Sequence, residues 1–108
     1  MKFTRNKYNA KKTMYAGVLY DSKREAQHAM FLDSQVKANK IDHWTRQVDI
    51  PITINGVKVC KLVADFFVVN CDSTCEYHEV KGMELPIFRL KLKLLKALYP
   101  NIKYTVIK

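Results

Sequence analysis

Residues 57–81 read VKVCKLVADFFVVNCDSTCEYHEVK, and the way this stretch pairs with itself decides the fold. Val57 to Val69 has the composition of a strand. Its second half, Leu62 to Val69, is apolar on both faces, which predicts a central strand covered on each side. The polar run Asn70 to Thr74 turns the chain, and a further strand follows from Cys75 to Lys81, with Gly82 beyond it. Asp65 interrupts the apolar run, and an ionised carboxylate there is costly unless it is paired or bound to a cation. Glu79 and Lys81 are two residues apart, so they share one face of the sheet. If Val69 pairs with Cys75, then Phe67 faces Tyr77 and Asp65 faces Glu79, with β-carbons about 4.5–5.5 Å apart. Two carboxylates that close repel each other unless a cation lies between them, and a hard divalent ion such as Mg²⁺ suits oxygen donors. Lys81, next along that face, is positioned to hold a water or to steady negative charge developing on a phosphate.

Upstream, Val48, Ile50, Ile52 and Ile54 alternate along a strand from Arg46 to Ile54, and Asn55-Gly56 is the signature of a two-residue type I′ hairpin turn. Carried through that turn, the register sets Arg46 opposite Asp65. A purely structural reading is therefore open: Arg46 and Asp65 as a cross-strand ion pair, Glu79 and Lys81 as surface charges. A helix is predicted from Ser22, where Ser22 and Glu25 form an S-x-x-E capping box, and Glu25, Ala29, Leu32 and Val36 line its inward face until it fades near Asn39. A second helix spans Leu85 to Leu98, ending before Pro100, and Ile102 to Ile107 form a last strand. A right-handed crossover would lay that strand parallel to the Cys75–Lys81 strand. The expectation is a single α/β domain of order α-β-β-β-α-β, its mixed central sheet flanked by helices.

Two further residues bear on the site. Glu25 opens the inward stripe of the first helix and so points toward the sheet as well as capping. Lys91 falls in the apolar arc of Phe88, Leu94, Leu95 and Leu98, whereas Arg89, Lys93 and Lys96 cluster on the polar side of the second helix. Lys91 either snorkels outward or reaches over the sheet toward a phosphate. Arg89, Lys93 and Lys96 form a basic stripe fit for phosphate contacts, and solvation alone would also explain them. His28 and His43 read as surface residues, and His78 points away from the Glu79 face. Trp44 and Tyr77 read as packing residues.

The 108 residues suffice for one domain, and 48% hydrophobic residues argue for a folded core. Nineteen Lys and Arg against ten Asp and Glu give a net charge of +9, which points to a polyanionic partner. Residues 1–14 carry Lys2, Arg5, Lys7, Lys11 and Lys12 with no acid, and read as a flexible basic arm able to track phosphates, ahead of a domain over 15–108. Lys11 and Lys12 are its candidates for nucleic-acid contact. No apolar run is long enough to span a bilayer and no leader pattern opens the chain, so a soluble cytoplasmic protein is expected. Cys60, Cys71 and Cys75 are odd in number and read as reduced thiols; Cys71, Cys75 and His78 lack an evident fourth zinc ligand.

Taken together, Tyr20-Asp21-Ser22-Lys23-Arg24-Glu25-Ala26, Arg46-Gln47, Ala64-Asp65-Phe66 and Glu79-Val80-Lys81-Gly82 resemble the PD-(D/E)XK nuclease superfamily. The likeness is to its small phage-type members, similar in build to Holliday-junction resolvases, and spans roughly residues 15–107. Ala64 departs from the proline of the family name. The resemblance implies a restriction-endonuclease-like fold and Mg²⁺- or Mn²⁺-dependent cutting of DNA, including branched or junction DNA, inside a phage-infected cell. It implies Asp65 and Glu79 as metal ligands with the Val80 carbonyl a third, Lys81 as the catalytic lysine, Glu25 as an outer or second-metal ligand and Gln47 in support. A homodimer is implied if two strands are cut symmetrically. The rival classes are a nuclease fold that binds nucleic acid without cutting it and a protein-binding phage regulator.

Overall fold

Ser22 begins the first helix as expected. Its backbone is extended (φ −148°, ψ 160°) and its hydroxyl accepts from the Glu25 N–H at 3.1 Å, which satisfies one of the helix's orphan donors. The helix ends in a Schellman motif: Asn39 takes φ 61°, while Lys40 N–H donates to the Gln35 carbonyl and Asn39 N–H to the Val36 carbonyl. The computed structural model describes residues 11–108. The elements are β1 (Thr13–Tyr15), β2 (Val18–Tyr20), α1 (Lys23–Lys37), β3 (Ile41–Ile54), β4 (Val57–Asn70), β5 (Cys75–Val80), α2 (Pro86–Leu98) and β6 (Tyr104–Ile107). From α1 onward this is the expected order. The β1–β2 hairpin is an addition, so the predicted basic arm stops short of Thr13, and its residues 1–10 lie outside the described part.

The main sheet runs β3-β4-β5-β6, with β6 parallel to β5 and the other pairs antiparallel. Asn55 and Gly56 both have positive φ, 51° and 79°, as a type I′ turn requires. Pairing from that turn starts in the expected register, Ile54 with Val57 and Thr53 with Lys58. It then slips by one: Ile52 pairs with Cys60, leaving Val59 as the extra residue of a β-bulge. The pairs from there to His43↔Val69 are displaced, so Arg46 lies opposite Phe66 and not Asp65. Because side chains alternate with period two, that slip turns Arg46 to the other face of the sheet. Its guanidinium lies over the Tyr20 ring at 4.6 Å, and the Arg46–Asp65 ion pair of the purely structural reading is not formed.

The two helices cover opposite faces at β5. One core gathers Ala26, Ala29 and Leu32 of α1 with Phe66 and Val68; the other gathers Phe88 and Leu95 of α2 with Ile50, Ile52, Leu62, Ala64 and Tyr104. Leu62, Ala64, Phe66 and Val68 share one parity along β4, yet the first two pack with α2 and the last two with α1. The exchange happens at Asp65. Opposite it, Gln47 has φ 53°, and the β3–β4 pairing passes from Arg46↔Phe66 to Val48↔Ala64 without it. A residue in the left-handed region breaks the pleat and coils the hairpin, so one row of side chains is handed from one core to the other. Asp65 sits where the two cores meet.

Candidate active site

β4 and β5 pair in the predicted register, Val69 with Cys75 and Phe67 with Tyr77, but the ladder stops at Phe66↔His78. Asp65 therefore does not face Glu79 as a ladder partner. Its carboxylate enters the gap instead, and the Val80 N–H donates to Oδ2 at 2.8 Å. A side-chain acceptor thus replaces a backbone one where the ladder stops. Glu79, 6% exposed, accepts from the Tyr104 hydroxyl at 2.7 Å through Oε1, while Oε2 lies 3.6 Å from Lys81 Nζ. Lys81 in turn lies over the Phe88 ring at 4.7 Å. Tyr104 comes from β6, beyond the crossover, and α2 supplies Phe88, so three elements, β5, β6 and α2, fix the Glu79–Lys81 pair.

The electrostatics are those of carboxylates raised chiefly by burial. Burial pushes the Asp65 carboxyl up to about 6, with the Glu79 charge adding to it, against the pull of the Val80 N–H and Lys81. Burial raises Glu25 to about 7, and Asp65, Asp21 and Glu79 push the same way, opposed by Arg46. Glu79 is raised by burial as well, against its bonds to Tyr104 and Lys81. Burial and the Glu79 contact hold the Tyr104 phenol well above its usual range, so it stays a donor. Three carboxylates from α1, β4 and β5 therefore share one field. Strongly raised carboxylates in a cleft mark sites where a cation or proton is handled. Among the described residues no three His, Cys, Asp or Glu side chains close around a common point.

The family described as "protein of unknown function (DUF1064)" matches residues 5–108. The chain belongs to the DUF1064 family. No curated protein and no solved structure matches it significantly.

In this DUF1064 chain two clefts meet at Lys81, and Asp65 lines neither of them. The larger, about 710 Å³, lies between the start of α1 and the β5–α2 connection; Lys11, Lys23, Arg24, Glu25, Lys81 and Met83 are among its walls. The smaller, about 230 Å³, lies between β4 and α2 and is lined by Lys61, Glu79, Lys81, Phe88 and Lys91 with apolar neighbours. Lys81 is common to both, with Glu25 on one side and Glu79 on the other. Lys91, left open by the sequence between snorkelling outward and reaching over the sheet, lines the smaller cleft with Glu79 and Lys81. Arg89, Lys93 and Lys96 are exposed and line neither cleft. Lys12 is paired with Asp21 at 3.3 Å, both exposed. Gln47 takes the position opposite Asp65 that the sequence assigned to Arg46, with its side chain exposed.

Two residues, Tyr104 and Lys61, were not legible in the sequence. Tyr104 escaped because no turn fixes the register of a crossover strand, and Lys61 because the Val59 bulge resets what its half of β4 faces. Lys23 and Arg24 were legible as basic residues on the first turn of α1, beside the capping box. His28 is a correction. It is half-buried against Phe66, its Nε2 lies 2.9 Å from His78 Nδ1, and burial together with His78 lowers it to about 4. His78 points away from the Glu79 face as expected and continues to Glu76 at 2.8 Å. Cys60, Cys71 and Cys75 are free thiols. Trp44 packs edge-on against Phe66, and its indole donates to Asp33 at 2.9 Å. No helix among the described residues is long and apolar enough to cross a membrane.

Proposed function

We propose that this DUF1064 protein is a divalent-metal-dependent DNA endonuclease, restriction-endonuclease-like in arrangement, that hydrolyses phosphodiesters and takes branched or junction DNA. The observation that carries the reading is the convergence of Asp65, Glu79 and Lys81 at the parting of β4 and β5, with Glu25 in the same field. The donor set fits a hard cation: two carboxylates whose ionised forms burial disfavours. Mg²⁺ commonly takes one or two carboxylates and leaves its other positions to water and phosphate, so a closed three-residue cage is not required. Asp65 and Glu79 would hold the ion, with the Val80 carbonyl as a third donor and Glu25 as an outer one. Bound there, Mg²⁺ or Mn²⁺ supplies Lewis acidity, easing loss of a proton from water and drawing charge off the phosphoryl oxygens.

The chain's own residues have separate tasks. The Val80 N–H fixes Asp65, and the Tyr104 hydroxyl fixes Glu79. Lys81, steadied on Phe88 between the two clefts, offers its ammonium to the oxygens that gain charge as water oxygen bonds to phosphorus. The phosphorus–oxygen bond to the leaving sugar breaks, and that oxygen takes up a proton. The net charge of +9 supports nucleic acid as the polymer. A homodimer accompanies symmetric cutting of two strands. Binding without cutting is the competing reading; in its favour, Asp65 Oδ2 and Glu79 Oε1 already have internal donors.

The test is incubation with linear, supercoiled and four-way-junction DNA, with Mg²⁺, Mn²⁺ or EDTA, beside Glu79→Ala. Cutting that needs the metal and is lost in Glu79→Ala is the expected result. Equal cutting by Glu79→Ala, or no metal-dependent cutting of any substrate, would end the nuclease reading.

A further inference from the structure

The smaller cleft carries more positive charge than the proposed chemistry uses. Three lysines, Lys61, Lys81 and Lys91, line it against one carboxylate, Glu79. Lys81 is already engaged by Glu79 and Phe88. Lys91 stands alone on its side of α2: at about 100° per residue it lies about 140–160° around the helix from Arg89, Lys93 and Lys96. A lysine needed only for solubility belongs with those three; this one is half-buried among apolar residues and lines the cleft. Lys61 arrives from β4, tethered at 3.1 Å to Asp49 with both side chains about half exposed, a contact weak enough to be exchanged for a stronger anion. The walls between these ammonium groups are Leu62, Val63, Ile87 and Phe88, which hydrate a charge poorly and strengthen its pull on an anion.

The size limits what enters. At about 230 Å³ the cleft is on the scale of a phosphate group with part of its sugar and far smaller than a duplex. We propose that Lys61 and Lys91 form a phosphate seat in this cleft. It holds one backbone phosphate of a single nucleic-acid strand beside the group that Lys81 and Glu79 act on. The inference rests on the nuclease reading for the identity of the polymer and adds a strand-positioning pair to it. Neither lysine belongs to the motif through which the chain resembles nucleases.

The test is anisotropy titration of a fluorescein-labelled single-stranded DNA oligonucleotide in EDTA, over a range of salt. It compares the wild type, Lys61→Ala, Lys91→Ala, the double variant and Lys37→Ala, an exposed lysine in the last turn of α1 that lines neither cleft. Should the alanine double variant fail to fold by circular dichroism, Lys61→Gln/Lys91→Gln replaces it. Loss of one phosphate contact should weaken binding about tenfold and flatten the slope of log K against log salt by about 0.7. Because both lysines hold one phosphate, the double variant should lose little more than the worse single variant. Lys37→Ala should keep the wild-type slope. An unchanged slope in the double variant, or an equal loss in Lys37→Ala, overturns the proposal. Phosphorus NMR with inorganic phosphate forms the second arm. If free phosphate binds the wild type and not the double variant while both bind the oligonucleotide alike, the seat takes free phosphate and the strand proposal fails. Since none of these readouts needs cutting, a protein that shows the slope change and cuts nothing loses the nuclease reading and keeps the seat.

Discussion

Replacing Asp65 by asparagine should make the metal-free protein more stable. A carboxyl raised from its ordinary 3.8 to about 6 is one whose ionised form the fold disfavours. The sign follows directly: with the folded value above the unfolded one, the contribution to stability is complete below about pH 4 and is lost as pH rises through 6. Two units at about 1.4 kcal/mol each set a ceiling near 3 kcal/mol at pH 8. Partial solvent exposure of Asp65 reduces this to about 1–2 kcal/mol. Asparagine cannot ionise, yet its carbonyl can accept from the Val80 N–H as Oδ2 does, so the strand gap keeps its hydrogen bond. Removing the charge also relieves Glu25, whose elevation to about 7 is partly due to Asp65. Thermal unfolding by circular dichroism in EDTA is the assay. At pH 8 the variant should melt at least about 4 °C above the wild type. Near pH 4 the two should nearly coincide. His28, lowered to about 4, titrates in both proteins and cancels from the difference. Added Mn²⁺ should raise the wild type and not the variant, narrowing the gap at pH 8. Equal or lower melting of Asp65→Asn at pH 8, or the same gap at pH 4, would refute the reasoning.

Other positions give equally direct tests. Tyr104→Phe removes the donor to Glu79 Oε1, and cutting should fall about tenfold with the substrate KM little changed, as measured on whichever DNA the wild type cuts. Ser22→Ala deletes the cap of the helix that carries Glu25, and should cost about 1 kcal/mol, a drop of about 4–8 °C in Tm. Ser73, at φ 73° in the β4–β5 turn, should gain up to about 1 kcal/mol when changed to glycine, read by urea unfolding. Deleting Val59 removes only the unpaired residue and leaves the later pairs, Ile52 with Cys60 through Arg46 with Phe66, as they stand, so it should be tolerated in the same unfolding assay. Deleting Leu62 instead shifts the pairs beyond it by one and should cost severe loss of stability.

Much of the site's neighbourhood was written locally. The five-residue Asn70–Thr74 connection set the Val69–Cys75 register, which put Asp65 and Glu79 at the same end of one hairpin. Lys91 stood out by sitting in an apolar arc without the sequence deciding where it reaches, and it lines the smaller cleft. The departures are as instructive. Arg46 looked like the partner of Asp65 because a hairpin counted from its turn assumes an unbroken ladder, and one extra residue at Val59 invalidates the count beyond it. His28 looked solvated because its neighbours in sequence are polar, while its neighbours in space are Phe66 and His78.

By itself the sequence determined what depends on a few adjacent residues: the Ser22 cap, the Asn39 stop, the Asn55-Gly56 turn, the order of elements and the presence of Asp65, Glu79 and Lys81 on neighbouring strands. Those features are set by φ preferences and by hydrogen bonds closed within one turn of chain, so local residues suffice to encode them. The tertiary structure decided that Asp65 bonds to Val80 instead of standing across from Glu79, that Tyr104 reaches back over a crossover to Glu79, and that Lys61 joins Lys91 at one cleft. Each of these depends on how far the long β3–β4 hairpin must coil for one row of side chains to serve two cores. That coil is a compromise between two helices packed on opposite faces, and no short stretch of the chain specifies it.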